Sequence, residues 1–327
     1  WGENYKGALG IESTNNMGDE PFEMGSNLPV IDLGSISSVK DVSIGGYGAC
    51  AILSSGNLKC WGFGWYGQLG LEHSYDGLGS ASNEMGDNLP VVNLGSNRKA
   101  ISVSRGIWHT CAILDNNTLK CWGKNDYGQL GLGHKNNLGD EPGEMGDNLP
   151  YVELGAGRTV IKVTTGNIHT CAILDNNKVK CWGSTDHAQL GIGALNSKGD
   201  EPDEMGDSLP YVNLGTNRTA KDISAKGATT CVLLDNNSVK CWGMYNYGQL
   251  GQGHTNEIGH IQDQMGDNLP SIQLGIGRSV KSISVSQPNV CAVLDNGDIK
   301  CWGYVRGNFI GDNMNEMGDN LAKVNLG

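Results

Sequence analysis

Cysteine spacing constrains this chain more than any other feature. All ten cysteines fall in five copies of Cys-x9-Cys: Cys50–Cys60, Cys111–Cys121, Cys171–Cys181, Cys231–Cys241 and Cys291–Cys301. In the stretch from Cys111 to Gly123, apolar residues approach Asp115-Asn116-Asn117 and lead away from it. Asp, Asn and Gly tolerate the positive φ that a tight turn requires, so each copy reads as a β-hairpin. With those three residues as the tip, Leu114 faces Thr118, Ile113 faces Leu119, Ala112 faces Lys120 and Cys111 faces Cys121. Directly opposed residues in a non-hydrogen-bonded antiparallel pair have Cα atoms about 4.5 Å apart, a span that a disulfide bridges. Each pair is expected to staple its own hairpin. Zinc ligation would need Cys-x2-Cys or Cys/His sets, which are absent.

Paired cysteines point to an oxidising compartment, so the chain is expected at the cell surface or secreted. A formal net charge of −12 repels phosphate backbones and argues against nucleic acid as a partner. No run approaches the roughly 18 apolar residues of a membrane span. With Gly 50, Phe 3 and 18% charged residues, the composition describes many turns and short strands.

Trp-Gly pairs begin at Trp1, Trp61, Trp122, Trp182, Trp242 and Trp302, a period of 60 or 61 residues. Such a period implies stacked supersecondary units, here about 1–60, 61–121, 122–181, 182–241, 242–301 and a partial 302–327. The unit beginning at Trp122 runs through Tyr127-Gly128-Gln129-Leu130-Gly131 and an acidic loop to Glu144-Met145-Gly146-Asp147-Asn148-Leu149-Pro150. Short alternating segments, Tyr151–Gly155 and Val160–Val163, then precede the hairpin. Four short strands per unit cannot close a core alone, and stacking small sheets buries both faces of each. The fold class is all-β, a propeller of about six four-stranded blades, with seven, incomplete in this sequence, as the alternative, and the six Trp residues are assigned to packing between blades. The unpaired half-units at the two ends lead us to expect a fragment of a longer repeat protein, forming one propeller domain over 1–327.

The segment from Val103 to Gly133, Val-Ser-x-Gly-x-x-His-Thr-Cys-Ala-Ile-Leu followed by Lys-Cys-Trp-Gly-x-Asn-x-Tyr-Gly-Gln-Leu-Gly-x-Gly, resembles the repeat of the regulator-of-chromosome-condensation (RCC1-like) superfamily, and the resemblance recurs along the chain. It implies a β-propeller. The Glu-Met-Gly-Asp-Asn-Leu-Pro insertion is similar to a subgroup found in large extracellular repeat proteins. The founding member is a nuclear exchange factor, and none of its functional residues carries over.

Among groups that could carry chemistry, Asp140, Glu141, Glu144 and Asp147 cluster as hard oxygen donors suited to Ca²⁺. No EF-hand or calcium β-roll spacing accompanies them, and the competing reading gives the turn amides to Asp and Asn while Glu stays solvated. No cofactor is expected otherwise. His109 and His169 read as strand-end hydrogen-bonding groups, because no nucleophile accompanies them. Sequons at Asn116, Asn217 and Asn236 suit glycosylation in that compartment. Trp65, Tyr66, Trp108, Tyr245, Tyr304 and Arg306 stand at variable positions where exposed aromatics favour interfaces. The expected function is a non-enzymatic extracellular scaffold, part of a larger surface, matrix or filament-forming glycoprotein. Its partners would be other extracellular proteins or further copies of the same assembly. A lectin-like or inhibitor propeller is the second reading. An enzyme would need polar groups converging on one pocket, whereas these repeats supply near-identical residues in every unit.

Overall fold

Each Cys-x9-Cys segment is an antiparallel hairpin turned by one residue in the left-handed region: Gly56, Asn117, Asn177, Asn237 or Gly297. Register follows the spacing. Ile113 opposes Leu119, Ala112 opposes Lys120 and Cys111 opposes Cys121, and the Leu114 N–H donates to the Thr118 carbonyl. Disulfides join Cys50–Cys60, Cys111–Cys121, Cys171–Cys181, Cys231–Cys241 and Cys291–Cys301, with Cα atoms 4.1 Å apart in every pair.

A strand preceding each hairpin adds to it, giving five antiparallel sheets. The computed structural model describes residues 1–35, 38–193, 196–254, 256–305, 307–313 and 315–325. It divides into two units, Trp1–Asp126 with His134–Val152, and Tyr127–Gly133 with Glu153–Gly327. The first unit holds β1 (Val39–Gly45), β2 (Gly48–Leu53), β3 (Leu58–Gly64) and β4 (Tyr75–Leu78) in one sheet. Its second sheet is β5 (Ala100–Arg105), β6 (His109–Leu114) and β7 (Leu119–Gly123). The second unit holds β8 (Val160–Thr165), β9 (His169–Leu174) and β10 (Val179–Gly183), then β11 (Ala220–Lys226), β12 (Thr229–Leu234) and β13 (Val239–Gly243). Its last sheet is β14 (Val280–Ser286), β15 (Asn289–Leu294), β16 (Ile299–Val305) and β17 (Asn308–Ile310). Among the described residues no helix is long and apolar enough to cross a membrane.

Two sequence expectations are corrected. Four strands were expected in every unit, but in the middle three sheets the fourth shrinks to a single bridge, Gly123 with Leu138, Gly183 with Lys198 and Gly243 with Ile258. Nor is Tyr151–Gly155 a strand. It is extended but irregular, with the Val152 N–H on the Leu119 carbonyl. Pro150 before it offers no N–H, and Gly155 turns the chain at φ +124°.

Within each unit the sheets stack face to face. The second sheet's β5 lies on β1 and β2, β11 lies on β8 and β9, and β14 lies on β11 and β12. One hydroxyl ties each of these junctions: the backbone N–H groups of Arg105, Ala225 and Val285 donate to Ser43 Oγ, Thr164 Oγ1 and Ser224 Oγ at 2.8, 2.9 and 2.9 Å. Trp61, Trp122, Trp182, Trp242 and Trp302 are all at most 2% exposed, each burying an aromatic area of roughly 150–250 Å². Trp182, Trp242 and Trp302 also donate their indole N–H to the carbonyls of Gln129, Gln189 and Gln249 at 3.0, 3.0 and 2.9 Å. Trp1 differs: it is 76% exposed.

Candidate functional site

The Glu-Met-Gly-Asp-Asn-Leu-Pro loops are struts. Lys120, which follows the turn on β7, is buried and donates from Nζ to the carbonyls of Leu94 (3.2 Å) and Gly146 (2.7 Å). Lys59 and Lys240 make the same pair of bonds, to Leu33 and Gly86 and to Leu214 and Gly266. Burial lowers the Lys120 ammonium from its ordinary pKa, and the Asp147 carboxylate opposes that shift. Asp147 in turn accepts from the backbone N–H of Ser96 (2.8 Å) and from its hydroxyl, which hold its pKa below the usual carboxylate range.

Glu144 accepts three backbone N–H groups at one oxygen, from Gly139, Asp140 and Glu141 at 2.7, 3.2 and 3.0 Å. The expectation that Glu stays solvated is therefore corrected at Glu144, whose longer side chain reaches back across the turn, while Asn and Asp take loop amides as expected, Asn93 from Gly95 and Asp147 from Ser96. Glu84 does the same with Gly79, Ser80 and Ala81. Of the four carboxylates raised as Ca²⁺ ligands, Glu144 and Asp147 thus serve turn and strut hydrogen bonds, while burial and the neighbouring Glu144 raise the Asp140 carboxyl from its ordinary pKa. Among the described residues no group of three or more His, Cys, Asp or Glu side chains could hold a metal ion.

His169 is also a framework residue. It is fully buried, its Nε2 lies 2.9 Å from Thr230 Oγ1, and burial pushes its pKa down to about 3. Asn116, Asn217 and Asn236 are exposed. Asn116 and Asn236 sit at hairpin tips, where each side-chain carbonyl accepts from the hydroxyl two residues on, Thr118 or Ser238.

What remains is aromatic. In the first unit, the turn between β1 and β2, the end of β3 and the turn between β5 and β6 bring Tyr47, Phe63, Tyr66 and Trp108 together. Trp108 packs edge-on to Tyr66 (centroids 5.6 Å, 90°) and to Phe63 (6.1 Å, 75°), with Tyr47 at 6.1 Å. Tyr5 extends the cluster through Tyr47 at 5.5 Å. Lys124 Nζ stands 4.8 Å from the Tyr66 ring and 5.9 Å from that of Trp108, a cation–π arrangement. All four core rings are half-buried. They pack on one another and remain partly open to solvent.

Tyr66 and Trp108 were singled out from sequence; Tyr5, Tyr47, Phe63 and Lys124 were missed. The repeat itself carried the signal, since Tyr47 occupies the place of Trp108, and Phe63 that of Lys124, one unit earlier. Trp65 is 56% exposed beside Tyr66. In the second unit, Tyr304 meets Phe309 at 5.4 Å and Tyr247 at 6.3 Å. Tyr245 instead packs partly buried on the core, and Arg306 lies outside the described residues.

Beneath the cluster is a further residue the sequence reading missed. Arg105 is buried and donates to the carbonyls of Phe63 (2.9 Å) and Gln68 (3.3 Å), and burial lowers its pKa to about 9. Thr110 also donates to the Gln68 carbonyl, at 2.9 Å. Two donors fill that oxygen, and the Trp122 indole N–H finds no acceptor among the described residues.

Two family models, both describing the regulator of chromosome condensation (RCC1) repeat, match this chain. One covers residues 39–68, 100–129, 160–189 and 220–249, the other 55–113 and 119–173. Together they span more than half of it. The chain is 27% identical over 297 residues to the human E3 ubiquitin-protein ligase HERC2, a match covering 89% of this chain and 6% of the ligase. It is 26% identical over 258 residues to the ultraviolet-B receptor UVR8 of Arabidopsis thaliana, covering 78% of this chain and 50% of the receptor. Among solved structures, human WBSCR16 aligns with a TM-score of 0.64 at 19% identity, over 89% of this chain and 68% of that one. Yeast RCC1 (Prp20), bound to Kap60, aligns at 0.60 and 17% identity, over 88% and 61%.

Proposed function

Because the chain belongs to the family of RCC1 repeat proteins, we propose that it is a non-enzymatic extracellular interaction scaffold of propeller architecture, part of a larger surface or matrix assembly, with the Tyr47–Phe63–Tyr66–Trp108 cluster as its principal contact surface. The observation that carries this reading is the cluster itself. Half-buried rings gathered from two hairpin turns and the stretch around the end of β3, with a lysine over two of them, are packed on one another before any partner arrives. Rigid aromatics lose little entropy on binding, and Trp and Tyr dominate interface energetics. The disulfides support the extracellular placement. Yeast RCC1 is seen bound to Kap60, which accords with a protein-binding role for the repeat.

The test is capture of extracellular protein from native material on the immobilised chain, compared with Trp108→Ala and Tyr66→Ala. A protein retained by the wild type and lost at least tenfold by both variants is expected, with unchanged circular dichroism. A glycan array run beside it decides the lectin alternative. Array binding that depends on Trp108, without protein capture, would replace the scaffold reading.

A further inference from the structure

Aligning the repeats isolates one junction, inside the second unit, whose chemistry departs from the others at three places together. The residue two before Gln68, Gln129 and Gln249 is a tyrosine, whereas His187 precedes Gln189. One repeat further on, Glu257 takes the place of Asn137 and Ser197, and His260 takes that of Asp140 and Asp200. The fold brings these three departures to one point, between the turn after β10 and the loop after β13. Glu257 accepts at both oxygens, from His187 Nδ1 at 2.8 Å and from His260 Nε2 at 2.6 Å.

A carboxylate only accepts, so the hydrogen in each bond belongs to the imidazole. The two remaining ring nitrogens differ. His260 Nδ1 is buried without a partner among the described residues, and a second proton there would be stranded. His187 has 41% of its side chain exposed and can take its second proton from water. Imidazole changes charge between pH 5 and 8. Burial pushes Glu257 up, but the bonds and charges of His187 and His260 outweigh it and hold the carboxyl below its ordinary pKa. The acceptor therefore stays ionised while His187 changes charge. Asp186 on the turn and His254 and Asp263 on the loop are exposed, and Lys198 on the preceding loop is paired with Glu204 at 2.7 Å.

We propose that His187, Glu257 and His260 form a proton-operated latch, in which proton uptake by His187 tightens the hold of the turn after β10 on the loop after β13. His260 is the positioning residue: it fills the second oxygen and fixes the carboxylate towards His187. In mild alkali a neutral imidazole sits on each oxygen. In mild acid the His187 bond becomes an ion pair, which is the stronger arrangement. Acid therefore closes the junction and alkali loosens it, until Glu257 itself takes a proton below the ordinary carboxylate range.

Amide hydrogen exchange on the full chain tests it, each rate being divided by its intrinsic value at that pH. The Gly193 N–H donates to the Gly259 carbonyl at 3.1 Å across this junction. The equivalent bonds from Gly133 to Gly199 and from Gly253 to Gly311 cross junctions where no histidine meets a glutamate. From about pH 7.5 to 5.5, protection at Gly193 should rise roughly two- to fivefold relative to Gly133 and Gly253, the scale of a partly exposed ion pair. His187→Gln and Glu257→Gln should each flatten that rise and His260→Gln should keep it, all with unchanged circular dichroism. A wild type without the rise overturns the proposal. So does a rise that survives in His187→Gln, one that is lost only in His260→Gln, or one that EDTA abolishes, which would make a metal ion the ligand.

Discussion

The turn between β5 and β6 in the first unit and the turn between β8 and β9 in the second share one register and carry opposite chemistry. Arg105, Ile107 and Trp108 of the first correspond to Thr165, Asn167 and Ile168 of the second. In the first, Arg105 and Thr110 take the Gln68 carbonyl, and the Trp122 indole is left without it. In the second, Thr170 and Trp182 share the Gln129 carbonyl at 2.8 and 3.0 Å. One repeat thus gives up a framework hydrogen bond to brace an aromatic cluster, and the other keeps the bond and carries no ring at that turn. The framework is common property, while the turns hold what distinguishes one sheet from another.

The largest effect that would break this contrast is acid. His169 is neutral in the fold, with its pKa at about 3 against an ordinary 6.5, so the unfolded chain binds the extra proton between those values. Its contribution is intact above pH 6.5 and is lost as pH falls towards 3, by ~3–5 kcal/mol. His169→Gln should remove that part of the slope in denaturant titrations across pH 3–7. An unchanged slope would mean that water reaches His169.

Next in size is the amide-binding glutamate common to both units. Glu144→Ala strands three turn amides and should cost about 2 kcal/mol, read as a lower melting temperature and faster exchange at Gly139–Glu141. Glu144→Gln should cost less than about 1 kcal/mol, because Gln264 already accepts from Gly259 and Ile261 at 3.1 and 3.3 Å in the second unit. Equal losses from the two variants would make the carboxylate charge the essential element. Smallest are the surface pairs repeated in both units, Arg98–Asp115 and Arg158–Asp175 at 3.1 and 3.4 Å. Arg98→Ala and Arg158→Ala should each cost ~0.2–1 kcal/mol and less at high salt. A clear difference between them would show that one unit leans on its surface charges more than the other.

The hairpins were legible because their information is local: an Asn or Gly tip, period-two apolar residues and a fixed cysteine spacing determine register within thirteen residues. The tryptophans were legible because they recur. In the acidic loop, Glu144 was misread although its amide partners lie three to five residues back, and the loop's other ties are distant. Lys120 meets Gly146 across 26 residues and Asp147 meets Ser96 across 51, and no composition rule within the loop reveals either. Of the aromatic cluster, the exposed-looking Tyr66 and Trp108 were visible, but Tyr47 and Phe63 acquire meaning only when two hairpin turns and the end of β3 meet. Arg105 stood where other units carry Ile, Thr, Ala or Val, an anomaly that aligning the five copies brings out.

The lysine strut has a consequence for how such a chain can grow or shrink. Lys120 holds a carbonyl 26 residues behind it and another 26 residues ahead. A cut made at the Trp-Gly pairs would sever one of those ties at each end of the excised piece. A cut at the Asp115-Asn116-Asn117 tip severs the other tie, because Leu94 and Lys120 lie on opposite sides of it. Struts survive duplication or deletion only where the array rejoins in phase, so that each lysine again finds a carbonyl 26 residues behind it and another 26 residues ahead.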